Sequence, residues 1–155
     1  MRDGGMMGVR LADNDQRLAY ALLRIVVGLN LMMHGVSRML IGPGVFASKL
    51  VTQFAHAPLP VWSIWSFGMV LPAIEALLGL LLMLGLRTRA ALVAGSLLIM
   101  VLTFGSALVQ DWPAAATQLT YALVYSVLLF LLRYNGWSVD AWMMRGDRQA
   151  STPNI

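Results

Sequence analysis

The sequence predicts an all-α protein, a membrane-embedded bundle of four helices that forms a single domain. Hydrophobic residue types make up 59% of the 155 residues and charged types only 12%, whereas soluble domains average about 45–50% and about 25%. The apolar residues are concentrated in four continuous runs, each close to the 20 or so residues that cross a bilayer. Because these runs do not alternate with a period of two, membrane-spanning strands are not expected.

The first segment, residues 1–17, is polar and is predicted to be a cytoplasmic N-terminal tail rather than a signal peptide, because no short apolar stretch follows its charges directly. A cytoplasmic C-terminal tail is predicted at residues 133–155. Between the tails, residues 18–132 form the transmembrane domain, whose four spans are predicted at residues 18–40, 64–86, 91–109 and 114–132.

Residues with strong turn preferences separate these spans. Pro43 stands between two glycines and ends the first span. Arg87-Thr88-Arg89 forms a tight turn after the second span. Asp111 is a suitable N-cap for the fourth span, with Pro113 in its first turn.

The connection between the first and second spans is long and contains an amphipathic pattern. Phe46, Leu50 and Phe54 recur at i, i+4 and i+8, which predicts a short amphipathic helix lying on the outer membrane surface.

Charge distribution predicts the orientation of the bundle. The net charge is +4, and most basic residues lie in the two tails and in the turn after the second span. Because positively charged loops favour the cytoplasm, both termini are predicted to be cytoplasmic. In a membrane protein this excess is a topology signal, so no nucleic-acid partner is expected, and the lipid bilayer is the first partner.

Composition also excludes several kinds of redox centre. The chain contains no cysteine, which rules out disulfides, cysteine nucleophiles and cysteine-ligated iron–sulfur clusters in this chain. A haem with two axial histidines would need His34 and His56 together, although they lie on different elements. We therefore expect no haem, iron–sulfur cluster or metal site.

Polar residues within the spans are the candidates for function, since each intramembrane charge costs about 2.5–3.5 kcal/mol on insertion scales. At 100° per residue, the four polar residues of the first span share one arc of about 120°: Arg24, Asn30, His34 and Arg38. The second span contains Glu75, with Pro72 one turn earlier.

Depth and side-chain direction suggest which of these residues meet. Side chains lean toward the N-terminus of their helix, so in antiparallel helices Glu75 is expected to lean toward His34 and Asn30. Arg24 is a possible alternative partner for Glu75, and Arg38 is expected to be an anchor at the outer edge. On the fourth span, Gln118, Tyr121 and Tyr125 share a face.

Structural roles are alternatives for each candidate. Arg24 can snorkel to cytoplasmic headgroups, and Glu75 can form a helix–helix ion pair or stay protonated. His34 can be an interhelical hydrogen-bonding residue. Tyr121 and Tyr125 can be packing residues rather than the wall of a ligand site.

The sequence resembles the DoxX family of small four-helix bacterial integral membrane proteins. Three segments carry the resemblance: LLRIVVGL with Arg24 and Gly28, MMHGVSRML with His34 and Arg38, and PAIEALLGLLLMLGLRTRAAL with Glu75. The resemblance extends over residues 18–108. Relatives in this family include a subunit associated with thiosulfate:quinone oxidoreduction and proteins linked to other membrane redox complexes. The resemblance therefore implies a multi-pass protein of the bacterial inner (plasma) membrane, linked to quinone or quinol redox chemistry with partner redox subunits or as a homo-oligomer.

Quinone chemistry needs an apolar slot, hydrogen bonds to two oxygens and a proton route. His34 and Glu75 are the expected catalytic pair, because an imidazole can exchange a proton with a quinone oxygen while a carboxylate orients it. The expected quinone-binding residues are Arg24, Asn30, Arg38, Tyr121 and Tyr125.

Two other functions remain open at this stage. The chain can be a non-catalytic subunit that anchors or stabilises a larger membrane complex, or a small transporter or proton conductor that uses Glu75 and His34. Whether it is an enzyme is uncertain: at most it is a subunit of a membrane quinone oxidoreductase that is not catalytic alone.

Overall fold

The computed structural model describes the backbone of residues 3–150 and the side chains of residues 13–146. These residues form helices joined by short turns and loops, and none of them forms a strand. The six helices are α1 (Asp3–Ile41), α2 (Pro43–Gln53), α3 (Val61–Leu84), α4 (Thr88–Leu108), α5 (Trp112–Phe130) and α6 (Val139–Ala150), with a 3₁₀ turn at Leu132–Tyr134.

Four of these helices are long and apolar enough to cross a membrane: residues 13–41 of α1, and α3, α4 and α5. The predicted all-α bundle with four membrane-spanning helices is therefore confirmed. Its orientation stays a prediction, so we call the two ends of the bundle the α2 end and the α6 end.

The beginning of α1 differs from the prediction. The helix begins at Asp3 instead of near Leu18, so the polar segment before the membrane continues the same helix. Within its described side chains, Asp13 and Arg17 form an ion pair of 2.6 Å, one helical turn apart, which supports a solvated helix. Hydropathy locates the apolar run but not this polar extension.

Two of the three breaks between the membrane-spanning helices follow the predicted turn chemistry, but the predicted turn at Arg87-Thr88-Arg89 is wrong in its position. The turn occupies residues 85–87, and α4 already begins at Thr88. Gly42 takes φ 107° between α1 and α2, and Gly85 takes φ 67° after α3, a region that favours glycine. The carboxylate of Asp111 accepts a hydrogen bond of 3.1 Å from the amide of Ala114, and Pro113 lies in the first turn of α5. The predicted cap of this helix is therefore confirmed.

Glycines bring α1 and α3 into backbone contact. A Cβ atom on Gly28 would lie 2.7 Å from the amide nitrogen of Met83 and 2.8 Å from the carbonyl oxygen of Gly79. This contact makes α1 and α3 one closely packed pair, and α4 and α5 form a second. Because α1 and α5 make few contacts with each other, a gap remains between them.

The short helix α2 confirms the helical reading of the segment that contains Phe46 and Leu50. It packs along α3, where Ala47 is fully buried and a Cβ atom on Gly68 would lie 2.8 Å from the Cα atom of Ala47. One face of α2 is thus covered by protein, and its position on the outer membrane surface stays a prediction.

The C-terminal segment is attached to the turn between α3 and α4. The carboxylate of Asp140 accepts hydrogen bonds from the amides of Arg87, at 2.7 Å, and Thr88, at 2.8 Å. It also accepts one of 2.8 Å from the Thr88 hydroxyl, and the Asp140 amide donates to the carbonyl of Gly85 at 3.0 Å. A residue of α6 therefore provides the N-terminal cap of α4.

Candidate functional site

A cavity of about 250 Å³ lies in the gap between α1 and α5, within the membrane-spanning region. We call it the central cavity. Apolar residues of α1 and α4 form part of its wall, including Val27, Leu31 and Ile99. Eight polar or aromatic side chains also line it: Asn30, His34, Arg38, Glu75, Thr117, Gln118, Tyr121 and Tyr125. Six of the seven residues that the sequence nominated are among these eight, and Arg24 is the exception.

The carboxylate of Glu75 is bound by Arg38, whose Nη1 donates to both carboxylate oxygens. Glu75 is 3% exposed, and 27% of the Arg38 side chain is exposed. Two expectations are therefore wrong: Arg38 is not an outer-edge anchor, and neither His34 nor Arg24 pairs with Glu75. Both side chains lean toward the N-terminus of their own helix, and because the helices are antiparallel this brings their charged ends together.

The guanidinium of Arg38 also contacts an aromatic ring. Its Cζ atom lies 4.6 Å from the centroid of the Phe46 ring on α2, within the range of a cation–π interaction. The arginine is therefore held from two sides, by a carboxylate on α3 and by an aromatic face on α2.

His34 lines the cavity with an exposed side chain. Thr117 on α5 also lines it and is exposed, so the cavity opens at the surface of the bundle between these two residues. That surface belongs to two membrane-spanning helices. The opening therefore faces the hydrocarbon region, where a lipid-soluble ligand diffuses.

Asn30 and Tyr121 join the two walls of the gap. The Nδ2 atom of Asn30 donates a hydrogen bond of 2.9 Å to the hydroxyl oxygen of Tyr121. Tyr125, one turn further along α5, is 1% exposed, and its ring packs on Gly95, where an added Cβ atom would lie 2.9 Å from the ring Cζ atom. Of the two tyrosines, Tyr125 is a core residue, whereas Tyr121 presents a hydroxyl to the cavity.

Gln118 lines the cavity, although the sequence analysis named only Tyr121 and Tyr125 of this helical face as expected quinone-binding residues. Its Nε2 donates a hydrogen bond of 2.9 Å to the hydroxyl of Ser106 on α4. Its Oε1 atom is buried and has no partner among the described residues. The signal for it was present in the sequence, since an amide inside an apolar span needs hydrogen-bond partners, and it shares a face with Tyr121.

Arg24 lies outside this cavity, near the α6 end of the bundle. It is 1% exposed, and its guanidinium donates to the carbonyl oxygens of Leu82, Met83 and Trp137. Burial at this level argues against snorkelling to headgroups. Arg24 donates to carbonyls at the C-terminus of α3, where the last carbonyls lack helical partners of their own and a cation is favoured by the helix dipole.

The central cavity combines an apolar wall with hydrogen-bonding groups, which is the composition of a small-molecule site. The side chains of His34 and Arg38 provide donors, and the Gln118 carbonyl oxygen is a free acceptor within the described part of the chain. In the same part, no three histidine, aspartate or glutamate side chains are grouped as metal ligands would be. The cavity therefore offers both hydrogen-bond donors and an acceptor to a ligand.

Comparison with protein families matches residues 19–112 to the DoxX family. Comparison with curated proteins and with solved structures finds no match. The family match covers more than half of the chain, and it includes α3 and the residues of α1 that bind across the cavity. The chain is therefore a member of the DoxX family and a multi-pass membrane protein.

Proposed function

We propose that this protein is the membrane subunit of a quinone-linked redox complex and that it binds a quinone or quinol head group in the central cavity. One observation carries the proposal. A cavity at membrane depth, open between α1 and α5, brings Arg38, Glu75, His34 and Gln118 together from three helices. A lipid-soluble redox ligand needs this combination of lateral access and fixed polar groups.

The size and polarity of the cavity agree with a quinone ring. Its 250 Å³ lie just below the usual range of about 300–1,000 Å³ for ligand pockets, so the cavity suits a ring rather than a ring with its tail. The tail would leave through the opening beside His34 and Thr117. A reduced ring carries hydroxyl groups, and the buried Gln118 Oε1, which has no partner among the described residues, is a suitable acceptor for one of them.

A bound quinone would supply a redox couple of two electrons and two protons. The residues of this chain bind and orient it. The His34 imidazole can donate to a ring oxygen or accept its proton, and Arg38 provides positive charge beside the ring while remaining bound to Glu75. The bond from Asn30 holds the Tyr121 hydroxyl in place. We propose that the electron donor or acceptor is a partner subunit.

Titration of the purified protein with a short-tailed quinone tests the proposal. Replacing His34 by Ala should weaken binding about 2–10-fold, the equivalent of one net hydrogen bond of about 0.5–1.5 kcal/mol. His56→Ala is the matched control, because this second histidine is exposed in the α2–α3 loop and lines neither of the cavities described here. Unchanged affinity in both His34→Ala and Gln118→Leu would remove the proposed site.

Purification from the native membrane in mild detergent distinguishes the proposal from its alternatives. Mass spectrometry of proteins and extracted lipids should find redox subunits together with stoichiometric quinone. Redox subunits without quinone would favour an anchoring subunit. A homo-oligomer with neither would contradict both and favour transport.

A further inference from the structure

A second cavity, of about 420 Å³, lies at the α2 end of the bundle between α2, α3, α4 and the start of α5. We call it the α2-end cavity. It meets the central cavity at a shared wall formed by Arg38, Leu102, Ala114 and Gln118. Arg38, one member of the ion pair, is therefore reached from two directions: laterally from the lipid and along the bundle from the α2 end.

Polar side chains are spaced along the α2-end cavity among aromatic and aliphatic ones. Gln53, at the end of α2, is exposed at the mouth. Ser63 and Asp111 follow on α3 and before α5, and Ser106 accepts the bond from Gln118 at the shared wall. Both Gln53 and Asp111 lie outside the membrane-spanning helices, so the cavity has a mouth at the aqueous end. Its α4 wall also includes the exposed residues Val101 and Phe104.

The shared wall contains a polar atom that requires a partner. The buried Oε1 atom of Gln118 accepts no hydrogen bond from the described residues. Buried carbonyl oxygens in native proteins are nearly always satisfied by protein or by ordered water. A roomy cavity with polar groups on its wall is the setting in which such water is found. Water at this point would lie beside Arg38, which lines both cavities.

The opposite side of the central cavity is closed. Toward the α6 end, the bundle is filled by a buried cluster that includes Leu82, Leu92, Tyr125 and Leu128, each at most 1% exposed. Close packing of this kind leaves little room for water. Among the described residues, the cavity that leads from the ion pair to an aqueous end is therefore the one toward the α2 end.

We propose that the α2-end cavity is a hydrated half-channel that carries water and protons between the aqueous phase at the α2 end and the Arg38–Glu75 pair. The titratable groups along this route are Glu75 and Arg38 at its inner end, His34 across the shared wall and Asp111 near the mouth. The presence of water does not depend on the ligand. That the protons come from quinone chemistry rests on the proposed function.

Cysteine accessibility tests the half-channel directly, because the full chain contains no cysteine. Ser106→Cys is the probe in the α2-end cavity beside the shared wall, and Ala55→Cys in the exposed α2–α3 loop marks the aqueous phase at the α2 end. Ser96→Cys is the matched control, because this serine is half-buried on the same helix and lines neither cavity. Its hydroxyl donates to the carbonyl oxygen four residues earlier. A charged, membrane-impermeant thiosulfonate is applied to sealed vesicles from each side in turn.

The reagent attacks only thiolates, which form in water and not in a dry core. Ser106→Cys should react at least about ten times faster than Ser96→Cys, and from the same side as Ala55→Cys. Equal, slow reaction of Ser106→Cys and Ser96→Cys would overturn the half-channel, as would reaction of Ser106→Cys from the α6 side.

A second cysteine variant tests the half-channel if Ser106→Cys does not fold. Ala114→Cys lies on α5 in the shared wall and breaks no side-chain hydrogen bond, so it should give the same result if Ser106→Cys does not fold. The labelling result is independent of quinone affinity. Fast labelling of the cysteine without quinone binding would support the half-channel and contradict the proposed function. Quinone binding with slow labelling would support the proposed function and contradict the half-channel.

Discussion

Arg38 on α1 and Glu75 on α3 form an ion pair inside the membrane-spanning region, and the arginine lies on the wall that two cavities share. A charge within a membrane span costs about 2.5–3.5 kcal/mol on insertion scales. The pair therefore couples the packing of α1 against α3 to the chemistry of the site.

Breaking this pair from one side should destabilise the protein more than removing it whole. Glu75→Gln or Arg38→Gln alone should lower the free energy of unfolding by about 3 kcal/mol, since each leaves a charge without its partner. The double variant should recover more than half of that loss. The measurement is a double-mutant cycle by SDS titration in mixed micelles.

The exposed pair of Asp13 and Arg17 is the control for this cycle, because surface ion pairs contribute only about 0–1 kcal/mol. Additive losses at Arg38 and Glu75, with no recovery in the double variant, would show that the two charges are not energetically coupled.

The close contact of α1 and α3 makes a second prediction. Gly28→Ala should destabilise the protein by about 1–3 kcal/mol, because the new Cβ atom would lie within 2.8 Å of backbone atoms of α3. Gly44→Ala, on α2, has open space around the added carbon and should cause no loss. Thermal unfolding of both variants in one detergent checks the difference, and equal midpoints would contradict the backbone contact.

Tyr121 should affect ligand affinity without affecting the core. Tyr121→Phe removes the hydroxyl that accepts the bond from Asn30, and the freed amide can then occupy the cavity. We expect the affinity for a short-tailed quinone to fall about 2–10-fold. Tyr134→Phe is the control, since that hydroxyl accepts a bond of 2.6 Å from Arg133 outside the cavity. Equal affinity in the two variants would argue against a role for Tyr121.

Asp140 should hold the C-terminal segment on the α3–α4 turn. Asp140→Asn weakens three hydrogen bonds to Arg87 and Thr88, which are charge-assisted and worth about 1.5–3 kcal/mol each to the local structure. Amide hydrogen exchange at residues 87 and 88 should accelerate about tenfold or more. The control Asp15→Asn, at an exposed position of α1, should leave the exchange rate at residues 87 and 88 unchanged. Slow exchange in Asp140→Asn would show that the Asp140 cap is dispensable.

Much of the site was visible in the sequence because polar residues in apolar spans are few. Asn30, His34, Glu75 and Tyr121 were identified by their position on one helical face or by their depth, and all of them line the central cavity. The partner of Glu75 was predicted wrongly from the depths of residues along their separate helices. Helical side chains lean toward the N-terminus of their helix, and this lean brings the charged end of Arg38 to the level of the Glu75 carboxylate.

The partners of Arg24 also could not be predicted from the sequence. Its place on the polar arc of α1 suggested the same cavity as His34, but its long side chain reaches instead to the carbonyl oxygens at the end of α3. Which unpaired backbone groups lie within reach of an arginine depends on where the neighbouring helix ends. The sequence locates that end only to within a few residues.

The sequence by itself determined the four membrane-spanning helices and the turns at Pro43 and Asp111, because the length of an apolar run and the chemistry of a turn are local properties. Only the tertiary structure decided that Arg38 binds Glu75, that Arg24 caps α3 and that two cavities meet at Gln118. These relations depend on the rotation and depth of one helix against another. The glycine contacts between α1 and α3 and the few contacts between α1 and α5 set that arrangement.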